Sequence, residues 1–342
     1  MKKKIIVTGG LGFIGSNLVK LLIKKKFFVI NIDKVSYSSN FANLNDIKNN
    51  YKFYKADINN NKIIKKIFEK HQPIGLFNLA AETHVDKSID NPQNFIKSNI
   101  NGVYNLIETT QKFLKLSKIK NFRFIHISTD EVYGDIKKNK LSKEKDPYLP
   151  SSPYAASKAA SDLLIQSYIR TYKLPCIITN CCNNYGPKQF PEKLIPKIII
   201  NLLDNKKIPI YGNGKQEREW IHVEDHCSAL YKIFQIGQVG EQINIGSGEV
   251  RNNLKLTKVL INNFNEIHHI PTKSTISFVK DRPGHDKRYA LNSNKLKKKY
   301  KWKKKYDLQA GLYATVKWYL ANDEWIKKIN KQKFTKRLGL KF

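Results

Sequence analysis

Short apolar runs alternate with amphipathic stretches along the first half of the chain. Ile5-Ile6-Val7 is an apolar run cut off by Thr8-Gly9-Gly10, and residues 16–23 then carry apolar side chains at helical spacing. That order predicts a strand, a tight turn and a helix. Further strand signals follow at 28–32, 74–79, 122–127 and 176–179, with helical stretches at 63–70, 99–116 and 155–172. Regular alternation of this kind predicts an α/β fold built on a doubly wound parallel sheet.

The texture changes after Asn180. Asn183-Asn184-Tyr185-Gly186-Pro187, Tyr211-Gly212-Asn213-Gly214 and Asp281-Arg282-Pro283-Gly284 are turn-forming clusters between short regular segments. The expectation is a larger lobe over 1–180, a smaller loop-rich α/β lobe over 181–330 and a basic tail over 331–342. Residues 220–236 and 242–246 are candidates to return to the larger lobe. No internal repeat is present.

With 342 residues and 41% hydrophobic content, the chain can bury a sizeable core. A net charge of +34 raises nucleic acid or an anionic membrane as partners. Arginine occurs only at 123, 170, 218, 251, 282, 288 and 337, however, and lysine is scattered along the whole chain. Stretches such as 295–305 therefore read as solvated faces, and neither partner is expected. Cys176, Cys181, Cys182 and Cys227 lack metal-ligand spacing and are too few to staple the chain, which fits a reducing cytoplasm. His268-His269 has no partner pattern for a metal, so none is expected. Met1-Lys2-Lys3-Lys4 looks like the start of a secretory leader, but the following apolar run is broken at once by Thr8-Gly9-Gly10.

Chemistry enters at that glycine turn. Gly9, Gly10, Gly12 and Gly15 satisfy both G-x-G-x-x-G and G-x-x-G-x-x-G, placed directly after a strand and before a helix. Such a turn lets a pyrophosphate approach the backbone and meet the free N–H groups of the helix. Asp33 closes the second strand, where a carboxylate can accept hydrogen bonds from an adenosine ribose and repel a 2′-phosphate. NAD is thereby favoured over NADP, with Lys34 softening the preference. Asp57-Ile58, after the run 51–55, can reach the adenine edge.

Tyr154 and Lys158 are four apart on a helical stretch and share one face. A lysine so placed can lower the phenol pKa and hold the nicotinamide ribose while the phenolate takes a proton from a substrate hydroxyl. Just upstream stand Thr129, Asp130 and Glu131. Hydride transfer alone needs no adjacent carboxyls, whereas one can donate a proton while its neighbour accepts one.

With these residues go Leu79-Ala80-Ala81-Glu82-Thr83-His84-Val85-Asp86, Ser128-Thr129-Asp130-Glu131-Val132-Tyr133-Gly134, Asn180-Cys181-Cys182-Asn183-Asn184-Tyr185-Gly186-Pro187, Phe190-Pro191-Glu192-Lys193-Leu194-Ile195-Pro196 and Asp281-Arg282-Pro283-Gly284-His285-Asp286. On them the chain resembles the extended short-chain dehydrogenase/reductase family over roughly 4–325, and within it the nucleotide-sugar 4,6-dehydratases. The resemblance implies a Rossmann-type fold and a closed redox cycle on one bound NAD with dTDP-glucose as substrate. Tyr154 would deprotonate the C4 hydroxyl, Thr129 would hydrogen-bond the C4 oxygen, Glu131 would remove the C5 proton and Asp130 would protonate the departing C6 hydroxyl.

It also implies a cofactor set of Gly9, Gly12, Phe13, Ile14, Gly15, Asp33, Lys34, Ser36, Asp57, Ile58, Leu79, Ala80, Ala81, Ser98, Tyr154, Lys158 and Asn184. The implied substrate set is Thr83, Thr129, Asn183, Lys193, Leu194, Arg218, Asn253, Asp281, Arg282 and His285. Arg218 has its own rationale, because a planar guanidinium suits a diphosphate. A surface ion pair with Glu217 or Glu219 is the plainer alternative. Thr83 and Ser98 carry the other small hydroxyl residue from the one expected, and the stretch 246–253 is less typical, which weakens Asn253. Residues 135–151 form a shorter segment than in many members.

Two other functions remain open from sequence: a nucleotide-sugar 4-epimerase, which needs no acid/base pair for water loss, and a basic RNA- or membrane-binding protein on a dinucleotide scaffold. Apolar positions within 99–116 and 155–172 predict a helix-pair interface between two copies of the chain.

Overall fold

The computed structural model describes residues 2–329, so the basic tail expected at 331–342 lies outside the described residues. The chain begins with β1 (Lys4–Thr8), α1 (Phe13–Lys24), β2 (Phe28–Asp33), β3 (Tyr51–Lys55), α2 (Asn61–His71) and β4 (Gly75–Asn78). Then come α3 (Val85–Asp90), α4 (Gln93–Phe95), α5 (Gly102–Leu116), β5 (Arg123–Thr129), α6 (Pro153–Tyr172) and β6 (Cys176–Cys181). Ile5 and Val7 on β1 join one apolar layer and Ile6 the other, as alternation along a strand dictates. All three are fully buried, because a central parallel strand is covered on both faces.

Seven strands form the main sheet in the order β10-β6-β5-β4-β1-β2-β3, where β10 is Gln242–Ile245. Every pairing in it is parallel. From β1 the chain winds outward through β2 and β3, then returns to β4 on the opposite side. The carboxyl ends of β1 and β4 therefore flank a crevice at the switch point, where ligands settle in open α/β sheets.

Helix α5 starts later than the periodicity predicts. Residues Ile96–Asn101 form a π-helical turn, and α-helix begins only at Gly102. The wider turn places Asn99 so that its side chain bonds both backbone groups of Glu82 and donates to Ser157 Oγ at 2.9 Å. Such turns recur at functional sites. Helix α6 is set by Ser152, whose hydroxyl accepts from Ala155 N, with Pro153 in its first turn and a left-handed Lys173 at its end.

The remaining elements are β7 (Asn183–Tyr185), α7 (Leu194–Leu203), β8 (Ile208–Tyr211), β9 (Glu217–His222), α8 (Val223–Ile236), β11 (Val250–Asn252), α9 (Asn253–His268), β12 (Ile276–Val279), α10 (Asn294–Lys299), α11 (Leu308–Ala321) and α12 (Asp323–Lys327). Strands β11, β9 and β7 make a small mixed sheet, and β12 pairs with β8. Within 220–236 the chain divides. Trp220 to His222 belong to that small sheet, whereas Leu230 and Ile233 of α8 join the core beneath the seven-stranded sheet. A second apolar core holds α7, α9 and α11 together with Tyr185 and Trp220.

Gly311 on α11 packs against the Tyr185 side chain of β7. A Cβ there would lie 2.1 Å from the hydroxyl oxygen of Tyr185, a side chain that is itself fully buried. Alanine would gain about 1 kcal/mol in helix propensity, but the overlap costs about 1–3 kcal/mol. Gly311→Ala is therefore expected to destabilise the fold in urea titrations, and a stabilised variant would show that α11 can shift.

Candidate active site

At the switch point the chain leaves β1 through Gly9, which has φ +68°, and enters α1 at Phe13. A Cβ on Gly15 would sit 2.2 Å from Gly9 O, and one on Gly9 would sit 2.9 Å from the Ala80 backbone. Only glycine lets these three backbone segments close on one another. An added Cβ at Gly12, which lines the cavity, meets nothing nearer than Gly9 O at 3.3 Å. The cradle thus has room above Gly12 for a pyrophosphate and offers it the first turn of α1.

Asp33, at the end of β2, accepts from Leu11 N at 3.0 Å, Val35 N at 2.8 Å and Ser39 Oγ at 2.8 Å. Three donors fix its carboxylate in the cavity wall. Val35 takes φ +62°, a costly conformation for a β-branched residue, and in it the Val35 N–H reaches Asp33. Lys34 pairs with Glu82 at 2.8 Å, so its charge is already matched and does less to favour a 2′-phosphate than its sequence position suggests. Every residue of the expected cofactor set lines this one cavity of about 280 Å³. The glycine cradle, the fixed carboxylate and the apolar walls at Ile58, Leu79 and Ala80 fit an NAD molecule.

The end of β5 delivers Thr129, Asp130 and Glu131 to the same cavity, opposite Tyr154 and Lys158 on α6. Thr129 Oγ1 donates to Asp130 Oδ1 at 3.2 Å, while the other oxygen of Asp130 is buried without a hydrogen-bond partner. Burial, followed by the charge of Glu131, pushes the Asp130 carboxyl well above the ordinary carboxylate range. Burial also raises Glu131, a rise that Arg282, Arg218 and Lys193 oppose without cancelling. The two neighbours are thus held apart, one as an acid and one facing three cations.

Tyr154 and Lys158 share the helix face and the cavity, yet the expected electrostatic help from lysine is not what dominates the phenol. Burial, then Glu131 and Cys181, raise Tyr154 well above its usual value, and only a Thr129 hydrogen bond leads the opposition. The reason is geometric: the Lys158 ammonium is held by Ile127 O at 2.8 Å, beside His126.

A second cavity of about 600 Å³ opens from the first and shares Thr83, Glu131, Asn183, Glu192 and Lys193 with it. Leu194, Arg218, Asn253, Arg282 and His285 also line this second space, together with Lys197, Lys206 and Lys207. So many cations suit an anionic ligand. Asn253 Oδ1 and Trp220 Nε1 are buried on its wall without hydrogen-bond partners, as befits a polar molecule. Arg218 is buried rather than paired at the surface; it donates to the carbonyls of Glu217 and Asp286 at 2.8 and 2.9 Å and stacks over Tyr289.

Two residues of the expected substrate set sit elsewhere. Thr129 lies on the cofactor side of the junction. Asp281 is not in the lining; it orients His285 Nδ1 at 2.6 Å and accepts from Gln216 at 2.8 Å. Conversely, His84, Asp86, Glu192, Trp220 and Tyr211 line the second cavity without having been singled out. Asp86 holds Arg282 at 3.2 Å and accepts from the Tyr211 hydroxyl at 2.9 Å. His84, Asp86 and Glu192 all stand inside the quoted motifs, which was the available signal.

A family profile described as GDP-mannose 4,6 dehydratase matches residues 6–315. The dTDP-glucose 4,6-dehydratase of Salmonella typhimurium is 46% identical over 343 residues, covering 95% of each chain. Among solved structures, the dTDP-glucose 4,6-dehydratase of Bacillus anthracis in complex with NAD superposes with a TM-score of 0.86 at 38% identity, covering 96% of this chain and all (100%) of that one. The enzyme of that name from Streptomyces venezuelae, also solved with NAD, gives a TM-score of 0.89 at 36% identity, again covering 96% and 100%.

The buried acid has a consequence for stability. A carboxyl whose pKa is raised on folding holds its proton in the native state where the unfolded chain has lost it, so stability falls as pH rises above the ordinary carboxylate value. Asparagine mimics the protonated form and escapes that penalty. Asp130→Asn is therefore expected to be more stable than the parent at neutral pH and to match it only in acid. Thermal melts across pH test this; equal melts at neutral pH would mean that Asp130 is not held protonated.

Proposed function

The chain belongs to the dTDP-glucose 4,6-dehydratase family, and on that premise we propose that it converts dTDP-glucose to dTDP-4-keto-6-deoxyglucose and water on bound NAD. The observation that carries this reading is the placement of Asp130 and Glu131, the first with one buried oxygen unpartnered and the second at the junction of the two cavities. Water loss needs a proton donor and a proton acceptor at adjoining carbons, and an epimerase of the same fold needs neither.

The glycine cradle, Asp33 and the walls around Ser98 and Asn184 hold the cofactor. Bound there, NAD would supply the two-electron exchange between sugar carbons, so that no external reductant is consumed. Tyr154, in its phenolate form, would take the proton of the C4 hydroxyl while Thr129 hydrogen-bonds the same oxygen. The C5 hydrogen, acidified by the neighbouring ketone, passes to Glu131. Asp130 gives its proton to the C6 hydroxyl, which leaves as water, and once C6 has regained hydride Glu131 returns its proton to C5, which completes the 4-keto-6-deoxy sugar. Arg218, Lys193, Arg282 and His285 anchor the anionic nucleotide side, with Asp281 keeping His285 in place and Asp86 keeping Arg282 in place. Thymidine as the base follows the relatives.

A homodimer and a cytoplasmic location complete the reading. Tyr104 on α5 and Leu163 on α6 are about half exposed, as is Ile96 just before α5, which supports a helix-pair contact. All four cysteines are unpaired and buried, which suits a reducing compartment. Among the described residues no helix is long and apolar enough to cross a membrane.

Incubation of the purified protein with dTDP-glucose is expected to yield the 4-keto-6-deoxy product by mass, and recovery of dTDP-galactose would support the epimerase instead. Glu131→Gln should lower turnover about 10²–10⁴-fold, still oxidise C4 and fail to exchange the C5 hydrogen with deuterated solvent. Normal exchange in that variant would remove Glu131 from its role. Leu163→Glu is expected to convert a dimer to monomer by light scattering; a parent protein already monomeric would discard the interface.

A further inference from the structure

Beneath Tyr154 and Lys158 lies a layer of buried polar side chains that the reaction as described leaves unused. His126 on β5 and Asp162 on α6 are both 0% exposed. Asn78 Oδ1 accepts from Thr8 Oγ1 at 2.6 Å, so the amide nitrogen of Asn78 is the atom that faces His126 Nδ1, at 3.2 Å. The ring nitrogen Nδ1 is then an acceptor, and the proton of the neutral imidazole sits on Nε2. That nitrogen lies 3.3 Å from Asp162 Oδ1, and Lys158 Nζ lies 3.4 Å from the same atom.

The donors to Asp162 gather on one oxygen, while its Oδ1 is buried without a hydrogen-bond partner. Its Oδ2 accepts from Ser128 Oγ at 2.7 Å, from the Tyr148 hydroxyl at 2.9 Å and from Asn180 Nδ2 at 3.4 Å. A buried carboxylate also needs a cation, and one helical turn back stands Lys158, whose one carbonyl acceptor is Ile127 O. The other titratable groups near the ammonium are Tyr154 on its own helix, Cys181 on β6, and Asp130 and Glu131 across the cavity. Among the influences on Lys158, burial lowers its pKa and Asp162 is the foremost charge opposing that.

We propose that Asp162 is a positioning residue, a fixed buried charge that acts across the neutral His126 ring to hold Lys158 as an ammonium facing the cofactor cavity. The role rests on the dehydratase reading only for the step it serves. Ser128 and Asn180 lie beside the catalytic turn, and Tyr148 comes from the segment between Glu131 and α6, so the same carboxylate ties three pieces of chain to the lysine. A purely structural Asp162 would weaken the fold or the rate at every pH alike. A counter-ion instead moves the pH at which Lys158 loses its proton.

The test measures that midpoint directly. The full chain is acetylated with trace acetic anhydride across a pH series and labelling at Lys158 is followed by peptide mass, since only the free amine reacts. Asp162→Asn is expected to shift the midpoint down by about one pH unit or more, a tenfold change, and Asp162→Glu to restore it. The alkaline limb of the dehydration profile should move by the same amount. Asp162→Ser, which also removes the carboxylate, is expected to move the midpoint in the same direction, and it serves if Asp162→Asn does not fold. A midpoint unmoved in a folded Asp162→Asn, or in Asp162→Ser where that is the variant used, overturns the proposal. A displaced midpoint in a protein that makes no 4-keto product leaves the counter-ion standing and sinks the reaction assignment instead.

Discussion

Two carboxyls on consecutive residues cannot both be buried as anions without a large cost, and the site is arranged around that constraint. Strand β5 ends at Thr129, so Asp130 and Glu131 emerge together at the carboxyl edge of the sheet. Asp130 turns inward, with one oxygen on Thr129 and the other without a partner, and such an environment favours the neutral acid. Glu131 stays at the junction of the two cavities, in the field of Arg218, Arg282 and Lys193. Those cations come from the second half of the chain. All three oppose the rise of Glu131, whereas Arg218 is the one of them that opposes the rise of Asp130.

The same economy governs the rest of the interior. Arg282 is itself held by Asp86, whose other oxygen receives the Tyr211 hydroxyl, and Arg218 is held by two carbonyls and the Tyr289 ring. The seven-stranded sheet supplies the rigid edge on which this depends, and the glycine cradle at its switch point brings α1 close enough to present its first turn to a dinucleotide. Below the cavity floor, Asp162 and Lys158 balance one another across His126. Each buried charge in the site can be traced to an opposite charge or to a set of hydrogen bonds that selects its protonation state.

Much of this was legible before any coordinates, because local pattern and local chemistry agreed. The apolar runs ending at Val7, Ile32 and Ile127 are strands of one sheet, and Gly9, Gly12 and Gly15 sit where a strand meets a helix. The start of α5 was not legible, since a π turn at Ile96–Asn101 keeps helical spacing of apolar residues while changing the hydrogen bonds. Nor was the split within 220–236, where a strand of the small sheet runs straight into a helix under the large one. At the site, side chains that contact ligand space directly could be picked out by type and motif. Residues that act by holding another residue carry no such signal: the contact of Asp281 with His285 and that of Asp86 with Arg282 are set by the fold and not by sequence spacing. The hold of Lys158 on Tyr154 was inferred from their spacing on one helix, yet a backbone carbonyl of β5 and His126 decide where the ammonium sits.

The central claim is that the folded protein keeps Asp130 protonated beside Glu131. Infrared difference spectroscopy between the parent and Asp130→Asn, taken at neutral pH in light and heavy water, reads that directly. The account predicts a protonated-carboxyl carbonyl band that is present in the parent, shifts on deuteration and vanishes in the variant, with no carboxylate stretch lost. Loss of a carboxylate band instead, with no carbonyl band in the parent, would show Asp130 to be ionised and contradict the division of acid and base described for this site.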